Sequence, residues 1–565
     1  MIKGIFNRIA SYYKTIAILL TMFACPASYS QTIPSSADPA RIKPQEPIIT
    51  EAPSKDANIP EIPEYDQHII MPKNASKISF TMKELDINGV SSFVEFDLLP
   101  IYEEYLNKEI TLDVIWKIAA DITKNYQNKG YFLSKAYVPA QKLKSDKVII
   151  NVTEGSVDKV EVDEKYAKKM VFNKLIKRLV DNKPIKDSDL ESFILQINSF
   201  PGVEFNAVIE PSENEGMVKL SLQKVKNKKS STSITVDNYG SRFIGPYQST
   251  LTYKNSFLPL HETTISLLAS VPFDELKYIS FAHELPIYPD WKAQFSSNYV
   301  KSRPGFSLEN SDIRSQYVEI GLDIIWQPIR ARDMNLSFSF GINGKNVNGD
   351  ILADEPLTRD RIRKTKYKIN YDGSDRLRGY NYFDFGIEQG LHLLGSSDIG
   401  ESNLSRSGAS PDFSKVTYNY TRIQVLPQKF TAIGRLSGQF AFEPLYSSEE
   451  FGYGGSLFGR AFDSSEITGD SGISASLELR YNGIDKIKNI KIVPYGFYDI
   501  GKVWNEDIGG VGDSAASVGF GTQIAISKKF NANLGIAYPL IRPINTPQYG
   551  NGKNPRYMIQ FSYEF

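Results

Sequence analysis

Along the last nine residues of the chain, large apolar side chains alternate with polar or flexible ones. Tyr557, Ile559, Phe561, Tyr563 and Phe565 fall on one side of an extended backbone, and Gln560, Ser562 and Glu564 on the other. A strand that is aromatic on one face and polar on the other suits lipid on one side and water on the other. An edge strand of a soluble sandwich gives no reason to finish on an aromatic residue. The same alternation, interrupted by Gly, Asn, Asp and Pro turns, begins after the basic stretch Lys224, Lys226, Lys228 and Lys229. It predicts sixteen strands starting near residues 231, 246, 262, 276, 292, 315, 334, 361, 379, 414, 430, 473, 490, 516, 531 and 556. An even number is what a single-chain transmembrane barrel requires if both termini lie in the periplasm, and residues 228–565 are expected to form it.

Ahead of that region the period changes. Residues 78–87 read as a strand, 111–128 as a helix, and 132–138 and 148–152 as strands. The helix rests on Leu112, Ile115, Ile118, Ala119 and Ile122 at three- and four-residue spacing, with Thr111 as cap and Gly130 as terminator. A second unit repeats the order: a strand at 157–162, helices at 166–179 and 189–198, and strands at 203–209 and 217–222. Two α/β units of one architecture, 76–155 and 156–227, are therefore expected in front of a mainly β protein. Upstream of them come Pro34, Pro39, Pro44, Pro47, Pro53, Pro60, Pro63 and Pro72 with few apolar residues between. Proline removes donors and disfavours helix at the preceding residue, so 31–75 reads as an extended periplasmic linker.

At the front, Lys3, Arg8 and Lys14 precede an apolar run over 15–24 and the small residues Ala27, Ser28 and Ser30, which together read as a signal peptide over 1–30. The run, of about ten residues, is too short to span a bilayer as a helix. No other stretch approaches ~20 apolar residues, so an exported membrane protein of this composition has to be a barrel. Cys25 is expected to leave with the signal; a lipid anchor is the alternative, in the poor context Met22-Phe23-Ala24. The mature chain then has no cysteine for disulfides or thiolate metal sites. Lys+Arg and Asp+Glu balance at 65 each, so no global field argues for nucleic acid. Thirty-two Tyr and 32 Phe suit the interfacial girdles of a barrel.

Enzymatic chemistry is scarce. His68 lies in the linker and His261, His283 and His392 are scattered through the barrel region, with no metal-ligand spacing and no nucleophile elbow; neither an enzyme nor a metal or other cofactor is expected. Lys364, Lys366 and Lys368 form a stripe expected to line the lumen, either as a solvated wall or with a part in substrate passage. The longest loop, 443–472, falls between strands eleven and twelve and reads as having no strand of its own. It contains Phe458-Gly459-Arg460-Ala461-Phe462-Asp463 and closes on Gly469-Asp470-Ser471-Gly472. On strand thirteen, parity places Ile490, Ile492, Tyr498 and Ile500 toward lipid and Tyr495, Phe497, Asp499 and Gly501 toward the lumen. A carboxylate there is tolerable only if wet or paired. Arg460 is a natural bidentate partner that would pin the loop inside the barrel; a solvated arginine and a hydrated aspartate are the alternative.

With these residues the chain resembles the outer-membrane transporters of two-partner secretion, the haemolysin-activator-like branch of the superfamily that includes the barrel-assembly proteins. The loop motif of that branch, Val-Arg-Gly-Tyr/Phe, stands here as Gly459-Arg460-Ala461-Phe462, with alanine in the glycine slot. Its partner motif, Phe-x-Asp-x-Gly, stands intact as Phe497-Tyr498-Asp499-Ile500-Gly501. Further matches are Asp237-Asn238-Tyr239-Gly240, Gly130-Tyr131, Ala136-Tyr137-Val138-Pro139 and Val152-Thr153-Glu154-Gly155, so the resemblance covers about 76–565.

The resemblance implies that the α/β units are POTRA domains in the periplasm of a Gram-negative bacterium, receiving an unfolded exoprotein such as an adhesin, cytolysin or growth-inhibition toxin. The barrel, a monomer in outer-membrane lipid, would pass it to the cell surface without ATP. Arg460 and Asp499 would lock loop to barrel, and Tyr557, Phe561, Tyr563 and Phe565 would form the C-terminal signal met by the barrel-assembly machinery during biogenesis. Ala461 would be uncomfortable if its position needs φ > 0. The N-terminal plug helix of many relatives is not carried over, because the proline spacing leaves little room for one. An assembly factor that inserts other barrels is the alternative, although it typically carries more POTRA units; a diffusion porin has no need of periplasmic domains. The topology expected places Arg41 in the periplasm and Ser407 outside.

Overall fold

The computed structural model describes residues 34–42, 74–142, 146–214, 216–226, 230–352, 355–484, 490–506, 512–527 and 529–565. The expected signal peptide with Cys25, and His68 with most of the expected linker, lie outside the described residues.

The first α/β unit comprises β1 (Ser79–Met82), β2 (Glu84–Asn88), α1 (Glu95–Tyr102), β3 (Lys108–Thr111), α2 (Leu112–Asn128), β4 (Lys135–Tyr137) and β5 (Lys147–Thr153). Ile115, Ile118, Ala119, Ile122 and Tyr126 form the buried stripe of α2 and pack with Val148, Ile150 and Val152 of β5, as helical and strand periodicities dictate. Gly130, at φ +89°, ends that helix; Thr111 precedes it in extended conformation without a side-chain cap bond. The strand expected over 78–87 is two strands. β1 pairs with β3 in a separate ribbon, whereas β2 runs parallel to β5, and the break falls at Lys83, whose amide donates to the Asp146 carbonyl at 2.8 Å. Glu154 ties the far end together, accepting from the amides of Ser91 (2.9 Å) and Ser92 (2.8 Å), the Ser91 hydroxyl and the Tyr126 hydroxyl (2.8 Å). Burial works against its charge, but these donors hold its carboxyl below the usual range.

The second unit comprises β6 (Ser156–Glu161), α3 (Glu164–Ala167), α4 (Met170–Asp181), α5 (Asp187–Asn198), β7 (Glu204–Pro211) and β8 (Met217–Lys226), with β8 between a parallel β6 and an antiparallel β7. Its core of Phe172, Leu175, Phe193, Ile197 and Phe205 also receives Leu260 from a barrel turn. Arg178 (2.7 Å) and Gln196 (2.8 Å) bind Asp290 of the next such turn, and Arg332 meets Glu191 at 3.0 Å. The unit is thereby seated on the short-turn end of the barrel.

The barrel strands run β9 (Ser230–Asp237), β10 (Tyr247–Asn255), β11 (Glu262–Val271), β12 (Leu276–Tyr288), β13 (Trp291–Ser302), β14 (Arg314–Arg330), β15 (Met334–Ile351), β16 (Glu355–Ser374), β17 (Gly379–Gly390), β18 (Ser414–Val425) and β19 (Phe430–Ala441). After β20 (Phe451–Tyr453) and β21 (Ile467–Gly469), which belong to the long loop, they continue as β22 (Ser471–Tyr481), β23 (Lys491–Trp504), β24 (Gly512–Ala525), β25 (Phe530–Pro539) and β26 (Arg556–Glu564). Sixteen antiparallel strands close on themselves, with Gln560 opposite Asp237 and Glu564 opposite Ser233 at the seam. Closure satisfies every strand edge, which is what lets β structure cross lipid. The C-terminal aromatics Tyr557, Phe561, Tyr563 and Phe565 all point outward. Trp291, Trp326 and Phe338 stack at ring separations of 5.8 and 5.4 Å near the short-turn end, in keeping with an interfacial girdle.

Two expectations are corrected. The long loop does carry strands, since β20 pairs with β21. Residues 35–42 of the expected linker are packed inside the barrel as two 3-10 turns, Ser35–Ala37 and Pro39–Arg41, near β13 and β14. Arg41 is not free in the periplasm: it donates to Glu450 of the long loop at 3.0 Å, and Ser35 bonds Thr468 at 2.9 Å. The proline that argued for an extended chain fits a turn equally well, with Asp38 capping Ala40 N at 2.9 Å.

Candidate functional site: the loop docked in the barrel

The strand period decides which β23 side chains face inward. Val493, Tyr495, Phe497 and Asp499 are buried, whereas Tyr498 and Ile500 face out. The loop descends onto this wall. Gly454, Gly455 and Gly459, at φ of +125°, +107° and +69°, turn its backbone, and Arg460 follows at the tip. Arg460 Nε and its backbone amide each donate to Asp499 Oδ2 at 3.1 Å, and Nη2 donates to Oδ1 at 2.9 Å. Its remaining donors reach Glu478 (2.6 Å) and Ser476 (3.0 Å) on β22, and Ser517 of β24 donates to Asp499 at 3.1 Å. The guanidinium lies 3.5 Å from the centre of the Phe497 ring. Arg460 is 6% exposed and Asp499 0%, so both charges are removed from bulk water and depend on one another. Glu478 has further cationic neighbours in Arg480 (2.6 Å) and Arg435 (3.6 Å); Asp499 has Arg460.

The two glycines of the motifs open one space. A Cβ on Gly501 would stand 2.2 Å from the Tyr453 ring, and one on Gly459 would stand 2.6 Å from it. Tyr453, fully buried on β20, fills the gap and packs with Phe462 at 6.2 Å. Ala461 is buried in the same cluster without positive φ; the left-handed position belongs to Gly459, so alanine in the glycine slot carries no backbone strain. Gly469, whose Cβ would meet the Trp504 backbone at 2.6 Å, lets β21 pack on β23. Gly501→Ala should therefore push Tyr453 out, at a cost of about 1–3 kcal/mol, and loosen the tip. Hydrogen exchange over 453–463 in the membrane-embedded protein should rise. Unchanged protection would show that the glycine gap is not needed.

Other loop contacts were not read from the sequence. Asp463 accepts from Arg242 N (3.0 Å) and Nη1 (2.6 Å) and from Arg556 at 3.1 Å, while Glu466 holds both Arg242 terminal nitrogens at 2.8 and 3.0 Å. Asp470 binds Arg406 and accepts the Leu445 amide at 2.8 Å. Glu449 meets three lysines, of which only Lys364 belongs to the expected stripe; Lys364 is buried and paired, not part of a solvated wall, and Lys366 stands 3.8 Å from Glu319. The histidines are less scattered than expected. His261 Nδ1 and His283 Nε2 lie 3.2 Å apart because the register of β11 with β12 sets Thr263 opposite His283, and His392 meets Asp398 at 2.7 Å.

A model of the family described as haemolysin secretion/activation protein ShlB/FhaC/HecB matches residues 216–524. The chain belongs to that family. A POTRA domain of the ShlB type matches residues 80–155. Among similar proteins, the heme/hemopexin transporter protein HuxB of Haemophilus influenzae (strain 86-028NP) is 25% identical over 524 residues, 88% of this chain and 89% of the relative. The outer membrane transporter CdiB of Dickeya dadantii (strain 3937) is 23% identical over 421 residues, 71% of this chain and 72% of the relative. In fold the chain resembles CdiB from Escherichia coli, with a TM-score of 0.70 at 16% identity over 94% of this chain and 95% of the other. It also resembles BamA from Haemophilus ducreyi lacking POTRA domains 1-3, with a TM-score of 0.50 at 13% identity over 86% and 100%. The ShlB/FhaC/HecB member is thus an outer-membrane two-partner secretion transporter of a Gram-negative bacterium, with POTRA domains in the periplasm.

Proposed function

We propose that this transporter captures one unfolded exoprotein through its POTRA domains and threads it outward as a monomer, by way of a lumen whose contents the Arg460–Asp499 pair holds in place. The observation that carries this reading is that pair, which fixes a loop inside a closed barrel seated on an α/β unit. In the first unit β2 and β4 lie at the edges of the sheet, so an extended client can add a strand through backbone hydrogen bonds that ask little of its sequence. Folding of the client outside would bias its movement. No catalytic step and no cofactor enter this account; among the described residues there is no cluster of three or more metal-ligating side chains. The outward aromatics of β26 would serve during insertion by the barrel-assembly machinery.

The test is secretion of whichever large repetitive exoprotein a neighbouring reading frame encodes, in cells with and without this chain, together with the sidedness of single cysteines. The client should reach the surface only when the chain is present. Ser407→Cys should label in intact cells, and Tyr137→Cys, on β4, only after the outer membrane is opened. Equal export without the chain, or labelling of Tyr137→Cys from outside, would overturn the proposal.

A further inference from the structure

Glu449, on the long loop, is 2% exposed and sits among three ammonium groups that come from three different strands. Lys345 of β15 reaches Oε1 at 2.6 Å. Lys364 of β16 bridges both oxygens at 2.8 and 2.7 Å, and Lys415 of β18 reaches Oε2 at 2.7 Å. Lys415 (2.9 Å) and Gln439 (3.0 Å) also donate to the Glu449 backbone carbonyl, which fixes the residue's direction. The wall supplies two carboxylates of its own, Glu388 of β17, 2.8 Å from Lys364 and 3.6 Å from Lys415, and Glu319 of β14, 3.8 Å from a fourth ammonium, Lys366. With Glu449 in place, four ammoniums face three carboxylates. With Glu449 displaced, they face two.

A client moving along this wall displaces Glu449 from the lysines, while the tip of the loop stays held by the Arg460–Asp499 pair. Three ammoniums held this close repel one another, and an anion that bridges them is stabilised by short charge-assisted hydrogen bonds. The wall is built to hold a carboxylate group, as it does here with Glu449. We propose that Lys345, Lys364 and Lys415 form a carboxylate-binding site on the secretion path, occupied by Glu449 at rest and by acidic side chains of the moving client when they displace it. The loop glutamate is then a placeholder, and exchange of one carboxylate for another spares the wall an unpaired cluster of buried cations. The inference rests on the secretion reading above, but the cradle can be tested without a client.

The experiment uses the purified full-length protein in planar bilayers under a KCl gradient, with polyglutamate and polylysine peptides as probes and heat-modifiability as the check on folding. Glu449→Gln keeps the size of the side chain and removes its charge. The open channel should shift toward chloride, and polyglutamate should block it at about tenfold lower concentration than the parent, the worth of one charge-assisted hydrogen bond. Polylysine should not block. Adding Lys364→Gln and Lys415→Gln to Glu449→Gln should abolish the gain. If Glu449→Gln does not assemble, Lys345→Gln with Lys415→Gln in the otherwise native chain should weaken polyglutamate block by a similar factor. Block unchanged by the lysine replacements, in whichever background assembles, would overturn the site. A channel that blocks as expected while the chain exports no client would instead remove the secretion reading and leave the cradle standing.

Discussion

Arg460→Ala should remove most secretion while leaving a folded barrel in the outer membrane. The barrel does not need the arginine, because its strands satisfy one another around the closed sheet. The loop does. Without Arg460, the fully buried Asp499 retains only the Ser517 hydroxyl and, if the tip stays, one backbone amide. Leaving a buried charge uncompensated costs about 3–5 kcal/mol, more than enough to turn a docked population into an undocked one. A loop without its seat occupies the lumen in many arrangements, and the path of the client is no longer defined. Asp499→Ala should be milder, because the freed guanidinium keeps Glu478 at 2.6 Å and Ser476 at 3.0 Å. The double variant should be little worse than Arg460→Ala, since both changes remove the same contact; close charge pairs couple by roughly 0.5–3 kcal/mol. Secretion is to be compared in all four proteins at matched barrel levels. Strictly additive losses would mean that the two residues act separately.

Each member of this pair is marked locally in the sequence, but the residues alone leave a solvated arginine and a hydrated aspartate equally open, and the family resemblance is what joins them. Asp499 faces the lumen by the two-residue period of its own strand, and Arg460 stands out in a loop too long to be a simple turn. Fourteen of the sixteen strand starts were legible to within two residues because period and turn residues are properties of short windows; β16 begins at Glu355 and not near 361, and β24 at Gly512 and not near 516. What could not be read depends on register between distant segments. Glu449 lies 104, 85 and 34 positions from its three lysines, and only the stagger of β15, β16 and β18 brings them to one level. The His261–His283 contact likewise follows from the pairing of β11 with β12. The break between β1 and β2 has no sequence mark beyond Lys83, because it is made by a change of partner strand. Helix α1 was missed because its short window contains Pro100. Residues 35–42 take their order from Glu450 and Thr468, more than four hundred positions away.

Deleting residues 76–155 should abolish secretion with little effect on barrel assembly. The first unit has its own core, built on Met82, Leu98, Ile118, Tyr126 and Ile150, which shares no buried residue with the core of the second. Its removal takes away one sheet with its edge strands β2 and β4 and leaves the Arg178–Asp290 and Arg332–Glu191 contacts that seat the second unit on the barrel. The cost falls at the joint between the units. Phe132 and Leu133 pack on the second core, the Ile185 amide donates to the Gly155 carbonyl at 3.0 Å, and the Lys186 ammonium lies 5.1 Å from the Tyr131 ring. Losing these contacts exposes a small apolar patch on the second unit without opening its core, where burial is worth roughly 1.5–3 kcal/mol per large side chain. The truncated chain should therefore still migrate as a heat-modifiable barrel in outer-membrane fractions, and the client should accumulate in the periplasm. The long loop should stay docked, since none of the residues that hold Arg460, Asp463, Glu449 or Asp470 lies in the deleted segment. Hydrogen exchange over 453–463 can confirm that separately from secretion. A truncated chain that still exports its client at the normal rate would take the receptor role away from the first POTRA unit and leave it to the second.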